Sequence, residues 1–369
     1  MINVFHIVSS KEWDGAAQYA HDMVSRLRHE PDTYVEAVCS KHYDVIKRFR
    51  RLEVPVSILP LKGSITDWDS PRRFARLIKK GHNIVHVHTF RDAFMAVWAR
   101  RLSKNPCTRI VMTVHNLYEP RHNYFYRRIF KAIDWVVFVS NMVQHVFASG
   151  AYRLDLSHSS VIRESVLLPA MEAVGAPVNL REHYHMEPQQ ALIMYHGRLA
   201  PEKGLEVLLR AVTQLDKKSF KLVIAGNGTP KFTTQLKGFI VANQLVRNVM
   251  LLGYSDHIHA LIDQCDFGVT PSIIPEPLGI TGLEYMMHGK AHITTNNGAQ
   301  QEYVNHGKNG LLVQPDNYTE LAASLQQLIT DTDLRERLGR QAKEDFEQEL
   351  NYDKSFKAMM QLYKELLSL

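Results

Sequence analysis

Short apolar runs recur along this 369-residue chain, and most are followed by a longer amphipathic stretch. That spacing most constrains the fold, because parallel strands need a crossover of a dozen or more residues and a helix supplies it. In residues 1–169 the predicted strands are Val4–Val8, Tyr34–Val38, Val56–Leu59, Ile84–Val87, Arg109–Val114, Trp135–Val139 and Ser165–Leu168. Helices fit between most of them: one begins near Gln18, one opens at Ser70-Pro71, and others cover Asp92–Leu102 and Phe125–Ala132. The pattern restarts at Ala191–His196 and continues through Lys221–Ala225, Val249–Gly253, Asp266–Thr270 and Leu311–Val313. Three helices close the chain, over Thr319–Ile329, Leu334–Glu347 and Tyr352–Leu367. Between the two series, residues 170–190 lose strand periodicity and carry Gly175, Pro177 and Pro188, which reads as a linker. The expectation is an α/β protein with two doubly wound, Rossmann-like domains, residues 1–169 and 191–351, whose ligands collect at the carboxyl ends of strands.

A hydrophobic content of 45% suffices for two cores. Cys39, Cys107 and Cys265 form no C-x-x-C pair and are odd in number, so neither a disulfide framework nor a zinc knuckle is expected, and a reducing compartment fits. Met1–Val8 reads as a buried strand rather than a leader, and no apolar run spans a bilayer, so a cytoplasmic protein is expected. The net charge is +6, with the basic excess concentrated before residue 170 in clusters such as Lys47, Arg48, Arg50 and Arg51; Arg72, Arg73, Arg76, Lys79 and Lys80; and Arg121, Arg127, Arg128 and Lys131. Without an aromatic-interleaved motif, nucleic acid is not the expected partner. An anionic bilayer surface, at the inner face of the cytoplasmic membrane, or an anionic lipid-linked acceptor fits this charge better.

The residues that carry chemistry gather between Pro271 and Gly289. Glu276 stands between Pro275 and Pro277, which keep it out of a helix; the next helix should begin near Gly279, putting Glu284 inside it. One ligand could touch Glu276, a helix amino end at Gly279 and Ile280 suited to an anion, and then Glu284. Upstream, Gly197-Arg198 and Lys203-Gly204 flank Pro201, which suits a first helical turn, so two cations frame another amino end. Gly226 and Gly228 make a tight turn after a strand, and Tyr254 follows the next strand. In the first half, Gly15 lies in the turn after the first strand, His86 and His88 share a strand face, and His115 ends a strand. Asp67 with Asp69, and Asp331 with Asp333, have a D-x-D metal spacing but sit at helix starts or between helices, so no metal site is expected.

The Glu276 to Glu284 stretch resembles the E-x7-E signature of the retaining glycosyltransferases of family 4, which have the GT-B fold, and the resemblance extends over most of the chain. It implies two Rossmann-like domains facing a central cleft, with residues 352–369 returning as a helix to an acceptor-side first domain. It implies that Glu276 holds the donor sugar, that Glu284 holds the nucleoside ribose, and that Arg198 and Lys203 grip the diphosphate, joined by Gly15 and the amino end at Gly279 and Ile280. Gly197, Gly226, Gly228 and Tyr254 match nucleoside or other donor contacts, His115 a catalytic position beside the sugar, and His88 the acceptor side. The implied function is metal-independent, retaining transfer of a sugar from a nucleoside diphosphate sugar, a substrate rather than a cofactor, to a glycan or lipid-linked acceptor in cell-surface polysaccharide synthesis. A sugar-nucleotide epimerase of the same fold and a catalytically silent sugar-nucleotide-binding subunit are the alternatives.

Overall fold

The computed structural model describes residues 1–62, 67–118, 124–150, 156–167 and 178–368. Met1–Glu164 together with Asp353–Leu369 make one compact unit, and Ser165–Tyr352 make a second. The first unit has strands β1 (Ile2–Val8), β2 (Thr33–Cys39), β3 (Val56–Ile58), β4 (His82–Val87), β5 (Thr108–Val114), β6 (Trp135–Phe138) and β7 (Ser159–Val161). They form one parallel sheet in the order β3-β2-β1-β4-β5-β6-β7. Helices α1 (Gly15–Leu27), α2 (Tyr43–Arg50), α3 (Asp69–Leu77), α4 (Phe90–Ser103), α5 (Tyr124–Phe130) and α6 (Asn141–Ser149) connect them.

The second unit has β8 (Ala191–His196), β9 (Phe220–Ala225), β10 (Val249–Gly253), β11 (Phe267–Thr270), β12 (Ala291–Thr295) and β13 (Leu311–Val313), in the order β10-β9-β8-β11-β12-β13. Its helices are α7 (Leu180–His183), α8 (Leu205–Val212), α9 (Pro230–Ala242), α10 (Ile258–Gln264), α11 (Ile280–Met287), α12 (Tyr318–Thr330) and α13 (Thr332–Asp345). Apolar side chains cover both faces of this sheet: Leu208, Leu236 and Leu325 pack with one, Leu180, Leu261 and Tyr285 with the other. In each unit the strand order reverses between two central strands, β1 and β4 or β8 and β11, which opens a crevice at their carboxyl ends.

The closing helix α14 (Tyr352–Leu367) lies almost wholly in the first unit's part of the chain. Tyr363 is fully buried against His86, the Arg109 guanidinium donates to the Leu366 carbonyl at 3.2 Å, and Arg26 sits 5.5 Å from the Phe356 ring centre. These contacts cross more than 250 residues of sequence at Arg109, so they belong to the tertiary structure alone.

Several elements differ from the sequence reading. The seventh strand is Ser159–Val161 and not Ser165–Leu168; it pairs with Val136–Phe138, residues 162–167 are not strand, and Leu168 lies outside the described residues. An edge strand buried on fewer sides tolerates the polar Ser159 and Ser160, which apolar periodicity passes over. Helix α1 begins at Gly15, three residues before the expected start, because the Asp14 carboxylate caps it by accepting from the Ala17 N–H at 2.8 Å. Of the expected linker, residues 170–177, with Gly175 and Pro177, lie outside the described residues; residues 178–190 instead belong to the second unit. There Leu180 is fully buried in the core, and Arg181 pairs with Asp266 at 2.7 Å. Of the basic clusters, Arg121 lies outside the described residues.

Candidate active site

The crevice between β8 and β11 brings together two segments more than 60 residues apart. After β8, Pro201–Lys203 form a single 3-10 turn that ends at Gly204, whose φ of +71° is left-handed. A Cβ on Gly204 would lie 1.8 Å from the Pro271 carbonyl oxygen, so only glycine lets this turn close against the end of β11. The Ile273 N–H donates to the Glu202 carbonyl at 2.9 Å and continues the join. At its tip, Lys203 Nζ lies 2.6 Å from Glu276 Oε1, with both side chains largely buried at 25% and 16% exposure. The same carboxylate oxygen accepts from Ser272 Oγ. Glu276 is also held through its backbone, whose carbonyl accepts from the Ala299 N–H at 3.0 Å. Gly298 permits that approach, since a Cβ there would stand 2.6 Å from the Glu276 nitrogen.

Three residues beyond Glu276, Gly279 takes a φ of +82° and starts α11 at Ile280. No side chain caps this helix and its first turn has no acidic residue, which leaves its amino end open to an anion. The Gly279 carbonyl accepts from Tyr303 Oη at 2.8 Å, fixing the direction of the turn. Glu284 stands on the second turn of α11. Burial alone would raise its pKa, but His196, 2.6 Å from Oε2, with His259 and His288 beyond, holds it below the ordinary carboxylate value. Arg198 is 65% exposed and pairs with Glu202 at 2.7 Å, so both cations of this segment rest on carboxylates.

Other expected donor positions have local explanations. A Cβ on Gly226 would lie 1.8 Å from the Gly197 carbonyl oxygen, and one on Gly228 would lie 2.3 Å from that of Leu199. The turns after β8 and β9 therefore stack backbone on backbone, joined by Leu199 N–H to Asn227 O at 2.8 Å, and their glycines serve that packing. Tyr254 is 56% exposed and donates to Asp256 at 2.9 Å. In the first unit a Cβ at Gly15 would meet nothing, but the Asp14 carboxylate already caps the amino end that a diphosphate would approach there.

His115 and His88 belong to a buried chain of imidazoles in the first unit. His6 Nδ1 lies 3.2 Å from His88 Nε2, His88 Nδ1 lies 3.1 Å from His115 Nε2, and His115 Nδ1 lies 3.2 Å from Glu164 Oε2. With one proton on each Nδ1, every ring donates to the next and the run ends on the carboxylate. Both His115 nitrogens are thus engaged within its own unit. Burial pushes His6 down to about 3; it drives His86 and His88 well below the ordinary imidazole value, with neighbouring imidazoles adding to the effect. Of the D-x-D aspartates, Asp67 accepts from Ser70 N–H and Oγ and from Lys62 N–H, Asp69 pairs with Arg73, and Asp331 caps α13 by accepting from the Leu334 N–H. Sequence reasoning missed Glu164 and His196, whose partners lie 49 and 88 residues away and leave no spacing signal.

Residues 13–164 match the sequence profile described as Glycosyltransferase Family 4, and residues 179–345 match that of Glycosyl transferases group 1. The chain belongs to the family 4 glycosyltransferases. An uncharacterised glycosyltransferase of Methanocaldococcus jannaschii is 30% identical to this family 4 chain over 190 residues, 51% of the chain and 48% of that protein. The match thus spans about half the relative's length. The lipopolysaccharide 1,2-N-acetylglucosaminetransferase of Salmonella typhimurium is 23% identical over 259 residues, 67% of this chain and 65% of its own. Among solved structures, Anabaena HepE in complex with UDP superposes with a TM-score of 0.83 at 18% identity, covering 98% of this chain and all of the other. That likeness shows the fold, GT-B, with its two parallel-sheet Rossmann-like domains.

Proposed function

We propose that this chain transfers a sugar, with retention of configuration, from a nucleoside diphosphate sugar held by the second unit to a hydroxyl of a glycan or lipid-linked acceptor in polysaccharide synthesis. The observation that carries this is the Lys203–Glu276 bond at 2.6 Å, followed three residues on by the uncapped amino end of α11 and then by Glu284. A sugar, a diphosphate and a ribose have that order. The UDP held by Anabaena HepE and the transferase activity named for the Salmonella relative support a donor and acceptor of these classes.

Negative charge gathers on the diphosphate as the sugar leaves. Lys203 keeps two ammonium protons beyond the one given to Glu276, exposed Arg198 can turn its fork from Glu202, and the first N–H groups of α11 add their dipole. A cation 4 Å from such a charge contributes up to about 4 kcal/mol at a partly screened site, against about 0.3–1 kcal/mol for the helix end, so the side chains dominate. These cations are proposed to serve in place of a metal. Glu276 orients the sugar hydroxyls and faces the positive charge that develops on the ring. A phosphate oxygen of the donor takes the acceptor proton, which fits a His115 whose nitrogens are both occupied.

Lys203→Ala and Glu276→Ala are each expected to lose roughly 100-fold or more in kcat while melting as folded proteins. The check is turnover across a panel of nucleoside diphosphate sugars; near-normal rates in both purified variants remove the assignment.

The first unit is proposed to rest on an anionic bilayer, at the inner face of the cytoplasmic membrane. Rings touch in a line from Trp68 to Trp98, Phe94 and Phe125, with Trp68 53% and Phe125 39% exposed. The Arg101 guanidinium lies 5.3 Å from the Trp98 ring centre, and Arg72 and Arg76 are exposed on α3. Interfacial aromatics beside arginines suit a lipid headgroup layer, each cation adding about 1 kcal/mol near an anionic surface. No helix among the described residues is long and apolar enough to cross a membrane. Vesicles of phosphatidylcholine with a third phosphatidylglycerol are expected to retain the protein at low salt and to retain Trp68→Ala several-fold less. Equal binding to vesicles lacking phosphatidylglycerol counts against the surface.

A further inference from the structure

Glu284 is tied to the backbone of β8 by a chain of hydrogen bonds whose proton positions the geometry dictates. Tyr285 Oη lies 2.7 Å from the Met194 carbonyl oxygen; a carbonyl only accepts, so the hydroxyl donates there. The same hydroxyl lies 2.9 Å from His196 Nδ1, so it accepts from that nitrogen. Nδ1 therefore carries a proton, and His196 Nε2 faces Glu284 Oε2 at 2.6 Å with a further proton between them. Tyr285 cannot turn away, because its ring lies on Gly268, where a Cβ would come within 2.3 Å of Tyr285 Cζ. His196 is 6% exposed and Tyr285 is fully buried, whereas the Glu284 side chain keeps 18% of its surface open. One carboxylate oxygen is thus pinned and the other side of the group faces outward. On the flank, His259 from α10 bonds His288, which bonds Asp263, and the two imidazoles help lower Glu284 without a hydrogen bond to it.

We infer that His196 is a positioning residue for ribose recognition: it pins one oxygen of Glu284 so that the other is aimed to accept from the vicinal hydroxyls of a nucleoside diphosphate. This rests on the reading of Glu284 as the ribose carboxylate. A glutamate on a helix surface otherwise samples several rotamers, and each wrong one leaves the diol unpaired. His196 acts on the diol only, so its loss weakens binding of nucleoside diphosphates that carry hydroxyls and spares binding of the phosphates.

The test uses the full chain and titration calorimetry. UDP, GDP and ADP are screened first, and the one that binds is compared with its 2′,3′-dideoxy form and with inorganic pyrophosphate. The wild type is expected to prefer the ribose form by roughly tenfold or more. His196→Leu should lower that nucleotide to the level of the dideoxy form and leave pyrophosphate within about twofold. His196→Gln, whose amide still donates towards Glu284, should recover part of the preference. Should His196→Leu fail to fold, Tyr285→Phe, which removes the acceptor for Nδ1, is expected to show a smaller loss of the same preference. A His196→Leu or Tyr285→Phe protein that keeps the full ribose preference overturns the inference, as does equal loss of pyrophosphate binding, which would mark a general structural role. A wild type that binds none of the three nucleoside diphosphates removes the donor reading and this inference with it.

Discussion

Each unit places a histidine next to a glutamate, His115 just after β5 and His196 at the end of β8, and the two carboxylates shift in opposite directions. In the first unit, His115 donates to Glu164, but its other nitrogen is taken by His88, and His88 in turn by His6. The three rings share one direction of donation. Glu164 is raised, because its burial outweighs the His115 bond that opposes it. In the second unit, His196 stands between a hydroxyl that can only accept from it and the Glu284 carboxylate, so it donates from both nitrogens. There the imidazoles of His196, His259 and His288 together outweigh burial and Glu284 is lowered. The imidazoles around a buried carboxylate, set against its burial, decide the direction of its shift. The lowered, partly open carboxylate of Glu284 is the one suited to a ligand; the first unit's run, whose members bond to one another, is suited to filling a core.

The comparison breaks most readily at the two carboxylates. Glu284→Ala is expected to weaken nucleoside diphosphate binding by roughly tenfold or more, the cost of an unpaired ribose diol, while Glu164→Gln changes it by less than about twofold. Thermal shift against nucleotide concentration reads both; comparable losses would show that the first unit's pair also serves donor binding. A smaller effect sharpens it. His6 is held at about 3 in the fold against 6.5 unfolded, so between those values the unfolded chain carries a proton that the folded one lacks. Its contribution therefore destabilises the fold as pH falls from about 6.5 towards 3, by up to about 1.4 kcal/mol per pH unit. Asp92, raised to about 6 chiefly by burial, works in the opposite sense and remains in the variant. His6→Phe should flatten the acid limb of the stability curve by up to that slope, measured by urea unfolding from pH 7 to 4. An unchanged slope would mean that the ring charges at little cost in the folded protein.

Much of the second unit's site was readable from neighbouring residues. Pro275 and Pro277 cannot enter a helix, so Glu276 had to lie in a loop, and the helix does start directly after Gly279. Pro201 marked the single turn that carries Lys203. The close backbone approaches of two glycines were not readable: Gly226 packs on Gly197 and Gly204 on Pro271, partners set by the turns of neighbouring strands. Asp14 was passed over as a cap because a helix start three residues later satisfied the same apolar pattern. The edge strand was misplaced for a related reason, since the apolar run at Val166–Leu168 outweighs the polar Ser159 and Ser160 in any periodic reading.

By itself the sequence determined which segments alternate as strand and helix, where prolines and glycines interrupt them, and that two carboxylates and two cations cluster in the second half. These depend on steric preferences and periodicity within a few residues. The tertiary structure alone decided which partner each polar side chain meets: Lys203 with Glu276 across 73 residues, His196 with Glu284 across 88, and His86 with Tyr363 across 277. A hydrogen bond needs its atoms within about 3 Å, and over such separations only the packing of strands and helices sets that distance.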